Sequence, residues 1–186
     1  DRLPIGFRQA VLLAPLAAIW RLDARALGSG RDVRPLIYVV AHQSRLDPAL
    51  MISLLPDDTL HILDAKAAQA AWLEPWRATG RTIAFNPEHV FVSRRLVRML
   101  RGGGRLCVYL PADVEPGSRE FRLYRAVARI AMRAEARTMP VMIAGSRARS
   151  LLPKLVVRAL PAATIGELVA QSGSSTNSGA LFDRVT

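Results

Sequence analysis

Apolar and polar positions along the chain fall into two alternating patterns. Leu36–Ala41 (LIYVVA) is an unbroken apolar run of strand length, rich in β-branched side chains. Such a run predicts a strand buried on both faces of a parallel sheet. Thr59–Leu63, Arg81–Phe85, Arg105–Leu110, Thr138–Ala144 and Leu155–Arg158 read as further strands. Helices are predicted between them. Asp47-Pro48 opens one through Leu55, with Asp47 as N-cap and the proline at the first helical position. Lys66–Arg77 forms a second. Asn86-Pro87 repeats the signature and opens a third, which runs to Arg101 and stops at Gly102-Gly103-Gly104. A fourth runs from Glu120 to Ala136 after a turn-rich loop. Strands alternating with helices predict an α/β layered domain, its central, largely parallel sheet of about six to seven strands flanked by helices. Leu36–Ala41, Arg105–Leu110 and Thr138–Ala144 are expected as neighbours. Sites in such sheets occupy loops at the carboxyl ends of strands, here Ala41–Asp47 and Pro111–Arg119.

The ends read differently from the middle. Ala10–Trp20 is the longest apolar run, and its 11 residues fall short of the ~20 needed to span a bilayer as a helix. It reads either as a helix packed on the core or as one lying in a membrane interface. In the second reading Phe7, Leu12, Leu16 and Trp20 face lipid, and Arg8 and Arg21 act as anchors. Gln171–Gly179 is polar and Ser/Gly-rich, the pattern of a flexible linker, with a short helix expected over Ala180–Val185. The chain begins with Asp rather than Met, which reads as an excised piece or a processed product. The expected division is residues 1–30 as an amphipathic segment, 31–160 as the core, and 161–186 as a helix and linker toward a further domain.

Composition narrows the function classes. Apolar residues make up 51% of the 186 and charged residues 22%, which suits one packed domain and excludes disorder. The single cysteine, Cys107, excludes an internal disulfide framework and reads as an inert core thiol in its apolar strand. Basic residues outnumber acidic ones by 26 to 15, and 24 of the 26 are Arg. A surface of that kind recognises phosphate or acidic partners.

His42 directly follows the first buried strand, and Asp47 starts the next helix. A histidine at a strand's carboxyl end, with a carboxylate to hold its other ring nitrogen, meets the requirements of a general base. Structural roles suit both residues as well: Asp47 as a helix cap, His42 as a loop histidine satisfied by backbone. Neither Ser44 nor Cys107 has a partner that would make it a nucleophile.

Ala41-His42-Gln43-Ser44-Arg45-Leu46-Asp47-Pro48 resembles the first motif of the glycerophospholipid acyltransferase family (lysophosphatidic acid acyltransferase-like enzymes). The match holds at His42, Ser44 and Asp47, with Ala41 where the family usually has Asn. Phe121-Arg122-Leu123-Tyr124 and the stretch Met139–Gly145 are similar to later motifs in order and spacing. Two stretches depart from the pattern. Gly80–Pro87 carries no Arg after Phe85, and Leu110–Glu115 retains only Pro111, with Ala112 where the family has Glu. The resemblance covers about residues 30–160 and looks closest to modules that precede an acyl-carrier-protein synthetase in bacterial fusion proteins.

The resemblance implies a glycerol-3-phosphate acyltransferase-like fold and transfer of a fatty acyl group from an acyl thioester to a lysophospholipid or acylglycerol phosphate. His42 would be the base and Asp47 its orienting partner. Ser44, Arg45, Pro111, Asp113, Arg122 and Tyr124 would contact substrate, Arg122 meeting the phosphate. No metal or cofactor is implied. The implied partners are a lysophospholipid acceptor, acyl carrier protein or acyl-CoA as donor, and an anionic membrane surface. The implied location is peripheral, on the cytoplasmic face of the inner membrane.

Arg122, Arg125, Arg129, Arg133 and Arg137 recur at helical spacing, with Leu123, Val127, Ile130 and Ala134 opposite. Arg94, Arg95, Arg98 and Arg101 form a second cluster. The stripes read as a solvated face, a membrane contact, or a dock for an acidic carrier protein. Nucleic acid is not expected: the aromatics fall within apolar elements and form no stacking platform. A catalytically weakened lipid- or carrier-binding module of the same fold is the alternative to an enzyme.

Overall fold

A computed structural model describes residues 7–18, 21–41, 44–63, 68–79, 81–84, 90–111, 115–146 and 154–172. Seven strands form one sheet: β1 (Arg21–Asp23), β2 (Leu36–Ala41), β3 (Thr59–Leu63), β4 (Arg81–Ala84), β5 (Arg105–Leu110), β6 (Arg137–Ser146) and β7 (Lys154–Ala159), in the order β1-β7-β6-β2-β5-β3-β4. Among the described residues the longer helices are α1 (Phe7–Ala17), α2 (Asp47–Leu54), α3 (Glu74–Thr79), α4 (Val90–Arg101), α5 (Arg119–Ala134) and α6 (Ile165–Ser172). Every pairing is parallel except β6 with β7.

All six residues of β2 are buried, as the unbroken apolar run requires of a central parallel strand. Its neighbours are β5 and β6, the arrangement expected from sequence, with Val39 level with Val108 on one side and Pro140 on the other. The strand pleat divides the core in two. Ile37, Val39 and Ala41 of β2 face α4 and α5, joined by Leu106, Val108 and Leu110 of β5. Leu36, Tyr38 and Val40 face the opposite way, toward Leu13 and Leu16 of α1 and Leu50 and Met51 of α2. A helix layer therefore covers each face.

Local chemistry explains several ends. At Gly103 the backbone takes φ 80°, and a side chain at Gly104 would collide with Met99, so the glycine run terminates α4 as expected. Ser118 caps α5 by accepting the Phe121 amide at 3.0 Å. At its far end Glu135 adopts the left-handed conformation, and the Arg101 side chain donates to the Arg133 carbonyl at 3.0 and 2.7 Å. A cation placed there complements the helix dipole and satisfies an orphan carbonyl.

The structure departs from the sequence reading in several places. Lys66–Arg77 is not one helix. Pro75 cannot continue a preceding turn, so a short 3-10 turn over Ala71–Leu73 gives way to a new helix at Glu74. Arg137 is not on the arginine helix, because α5 ends at Ala134 and Arg137 opens β6. Of the two readings of Ala10–Trp20, the core-packed one holds at Leu12 and Leu16, which are both buried, and the outer side of α1 carries Ala10, Val11, Ala14 and Ala17. β1, too short and too polar to be read as a strand, pairs with β7 through Arg21↔Lys154. Gln171 and Ser172 belong to α6; the rest of the expected linker, the helix at 180–185, and Phe7, Arg8 and Trp20 as side chains lie outside the described residues.

Candidate active site

Parallel pairing sets Ala41 level with both Leu110 and Met142. The chain leaves β2 and β5 at the same edge of the sheet, on adjacent strands. The two loops singled out from the sequence therefore start side by side. His42, the residue after Ala41, lies outside the described residues, as does Asp113.

Asp47 is 2% exposed. Its Oδ2 accepts the Ser44 backbone amide at 2.9 Å, and its own amide donates to the Ser44 carbonyl at 3.1 Å. Ser44 Oγ accepts the Leu46 amide at 3.2 Å. The expected N-cap is thus not what Asp47 provides. Leu46 precedes the helix without a side-chain cap, and the Asp47 carboxylate reaches back into the loop instead of forward along α2. The negative charge still sits in the first turn, where the helix dipole favours it. Ser44 and Arg45 are exposed on the same loop.

On the neighbouring strand, Pro111 is half-buried and its carbonyl accepts the Tyr124 hydroxyl at 2.5 Å. Tyr124 itself is buried among the residues facing α4 and α5. It ties the first turns of α5 to the end of β5. Arg122, two residues earlier, points to solvent. The structure thus gathers Ser44, Arg45 and Asp47 at the end of β2, and Pro111 and Tyr124 at the end of β5.

Sequence reasoning missed a polar string beneath this edge. The Tyr109 hydroxyl lies 3.0 Å from His61 Nδ1, and the two rings stack. His61 pairs with Cys107 across β3 and β5. Burial pushes the His61 imidazole down to about 3 and the Cys107 thiol up to about 12. Tyr109 is held well above its usual value by burial first, then by Cys107 and the Asp47 carboxylate. The string is uncharged and touches the field of Asp47. Only the register of β3 on β5 reveals it, and no local spacing encodes that register. Among the described residues, no three of His, Cys, Asp and Glu converge as metal ligands do.

On their outer sides α4 and α5 expose Arg94, Arg95, Arg98, Arg122, Arg125, Arg129 and Arg133. The opposite layer exposes Val11 at 56% and Trp72 at 41%. Among the described residues no helix is long and apolar enough to cross a membrane.

The comparisons with known proteins agree with this architecture. One solved structure, described as the 1-acyl-sn-glycerophosphate (LPA) acyltransferase PlsC from Thermotoga maritima, superposes with a TM-score of 0.59 at 13% identity, covering 96% of this chain and 73% of that one. Identity that low speaks for the fold alone. No curated protein matches the sequence. The family model described as Acyltransferase matches residues 28–144, a span that runs from the turn before β2 into β6 and takes in both loops. The chain belongs to the Acyltransferase family.

Proposed function

We propose that the protein moves a fatty acyl group from an acyl thioester to the free hydroxyl of a lysophospholipid or acylglycerol phosphate, with His42 as general base and Asp47 as its orienting carboxylate. The observation that carries this reading is Asp47: a buried carboxylate at the carboxyl end of the central strand, folded back into the loop that holds His42. A buried carboxylate there costs stability unless it has work or partners.

In the proposed reaction the His42 imidazole takes the acceptor hydroxyl proton as the oxygen attacks the thioester carbonyl. The tetrahedral intermediate then expels the thiolate, which receives the proton from His42 imidazolium. Asp47 fixes the tautomer and stabilises the imidazolium. Base catalysis of this kind contributes ~10²–10⁴ in rate, and positioning of the two substrates supplies the rest. No covalent enzyme intermediate is needed, in keeping with a buried Cys107 thiol pushed up to about 12. Arg122, Ser44, Arg45, Pro111, Asp113 and Tyr124 complete the proposed substrate contacts, Tyr124 acting through the Pro111 carbonyl.

The donor is acyl carrier protein or acyl-CoA, and the protein works peripherally on an anionic membrane, at the cytoplasmic face of the inner membrane. The exposed outer side of α1 and Trp72 offer an apolar contact on one face of the sheet, and the arginines of α4 and α5 a cationic one on the other. The test is an assay of the purified protein with lysophosphatidic acid and lysophosphatidylethanolamine, each supplied with acyl carrier protein and CoA thioesters in turn. Diacyl product with at least one pair supports the reading. Lipid binding without product under every pairing favours the binding module.

A further inference from the structure

β4 is the last strand of the sheet, and a cleft of about 470 Å³ is lined by its first residues and by α4. We propose that this cleft is a second, non-catalytic site, and that it binds a phosphate-bearing ligand with an apolar substituent. Its size falls within the ~300–1,000 Å³ of small-molecule sites.

The charges in its wall are unequally used. Asp58 is consumed: its two oxygens accept from Arg105 at 2.8 and 2.7 Å, and Arg34 adds a contact at 2.9 Å. Arg77 is consumed as well, by Glu74 and the Ala68 carbonyl. Arg81, the first residue of β4, and Arg95, on α4, also line the cleft. Neither has an ion pair or hydrogen-bond partner among the described residues. Two guanidinium groups facing one cavity repel each other, and an anion between them removes that cost. The planar fork of guanidinium matches phosphate bidentately, and the Thr82 hydroxyl adds a further donor in the same wall.

The remaining wall is apolar. Leu60, Leu96 and Met99 line it beside the two arginines. Inorganic phosphate would leave that surface in contact with water, whereas a short hydrocarbon next to the phosphate covers it.

Position separates this cleft from the candidate active site. Leu60 and Arg81 are at the starting ends of parallel strands, whereas Ala41 and Leu110 are at the finishing ends. Strands of this length at ~3.3 Å per residue put the two about 15 Å apart or more. A ligand here does not occupy the loops after β2 and β5.

The experiment is calorimetric titration of the purified chain at fixed ionic strength with inorganic phosphate and with octyl phosphate, neither of which carries a hydroxyl to acylate. In an Arg122→Ala background, which removes the phosphate contact proposed for the active site, octyl phosphate is expected to bind saturably, one to one, and at least tenfold more weakly once Arg81→Ala/Arg95→Ala is added. Arg81→Lys/Arg95→Lys keeps the charge, loses the fork, and is expected to bind at an intermediate level. The control Arg137→Ala/Arg158→Ala removes equal charge from exposed positions of β6 and β7 and is expected to bind like the parent. Tighter binding of octyl phosphate than of inorganic phosphate supports the apolar substituent, and equal binding of the two overturns it. Equal weakening in the cleft and control variants, or no saturable binding, overturns the proposal. The readout is binding alone, so its failure leaves the acyl-transfer reading standing.

Discussion

The Asp47 carboxylate accepts the Ser44 amide at 2.9 Å, so the side chain that starts α2 also closes the loop leaving β2. Removing that acceptor strands a backbone donor and takes a negative charge from the first turn of a helix. Asp47→Ala is therefore expected to lose ~1–2 kcal/mol. Asp47→Asn keeps an oxygen for the Ser44 amide and is expected to melt within a degree or two of the parent. Thermal unfolding of the two variants checks this, and an equal loss in both would contradict the geometry.

A second prediction follows from His61. The unfolded chain protonates this residue near pH 6.5, whereas in the folded protein burial holds it down to about 3. Between those values the unfolded state binds one more proton than the native state, so stability falls as pH falls. The slope is about 1.4 kcal/mol per pH unit, or about 2 kcal/mol lost by pH 5. His61→Gln removes the titration while leaving a polar group for Tyr109. The variant is expected to show a smaller melting-temperature difference between pH 7 and pH 5 than the parent. An unchanged difference would mean that His61 protonates in the native state.

Cys107 gives a third. The thiol is fully buried and pushed up to about 12, so the reactive thiolate is scarce at neutral pH. Iodoacetamide is expected to leave the native protein unmodified and fully active, and to alkylate it only in denaturant. Rapid native labelling with loss of activity would reopen a covalent mechanism.

Much of this architecture was legible in the sequence, for identifiable reasons. The apolar run of β2 announces a central parallel strand because both faces are buried, and Gly102–Gly104 announces a helix end because Gly103 takes a left-handed backbone that glycine favours and Gly104 lies against Met99. Val127, Ile130 and Ala134 are buried as their spacing required. What the sequence concealed depends on tertiary partners. Leu12 and Leu16 fit a lipid-facing stripe as well as a core-facing one until α2 is placed against them. β1 owes its existence to β7, and Asp47 exchanges a capping role for a loop contact that only the fold of Ser44–Leu46 creates. The approach of His61 to Tyr109 is likewise a matter of register between strands distant in sequence.

The fourth prediction concerns the membrane. The apolar outer side of α1 with Trp72, and the arginines of α5, lie on opposite faces of the sheet, so their contributions are separable. Each exposed base near an anionic leaflet is worth ~1 kcal/mol, so Arg129→Glu/Arg133→Glu is expected to weaken binding to anionic vesicles at least tenfold. Added salt should weaken binding too, because exposed charges are screened beyond ~10 Å at 0.1 M. Trp72→Ala, on the opposite face, should leave this salt-dependent binding unchanged, because one flat bilayer meets one face of the sheet. Vesicle affinity that ignores both the charge reversal and salt would remove the electrostatic contribution.

The central claim is that His42 and Asp47 act together as a general base and its orienting carboxylate, and the most direct measurement pairs activity with stability in His42→Ala and Asp47→Asn. Asp47→Asn is the sharper of the two, since the amide keeps the Ser44 contact but does not stabilise an imidazolium and favours the wrong tautomer, a loss reaching ~10⁴ in rate in triad enzymes. The account predicts that both variants melt close to the parent, that His42→Ala has no detectable acyl transfer, and that Asp47→Asn is slower by ~10²–10⁴. A folded Asp47→Asn protein that transfers acyl groups at the parental rate would contradict it, leaving Asp47 as a structural contact of the loop.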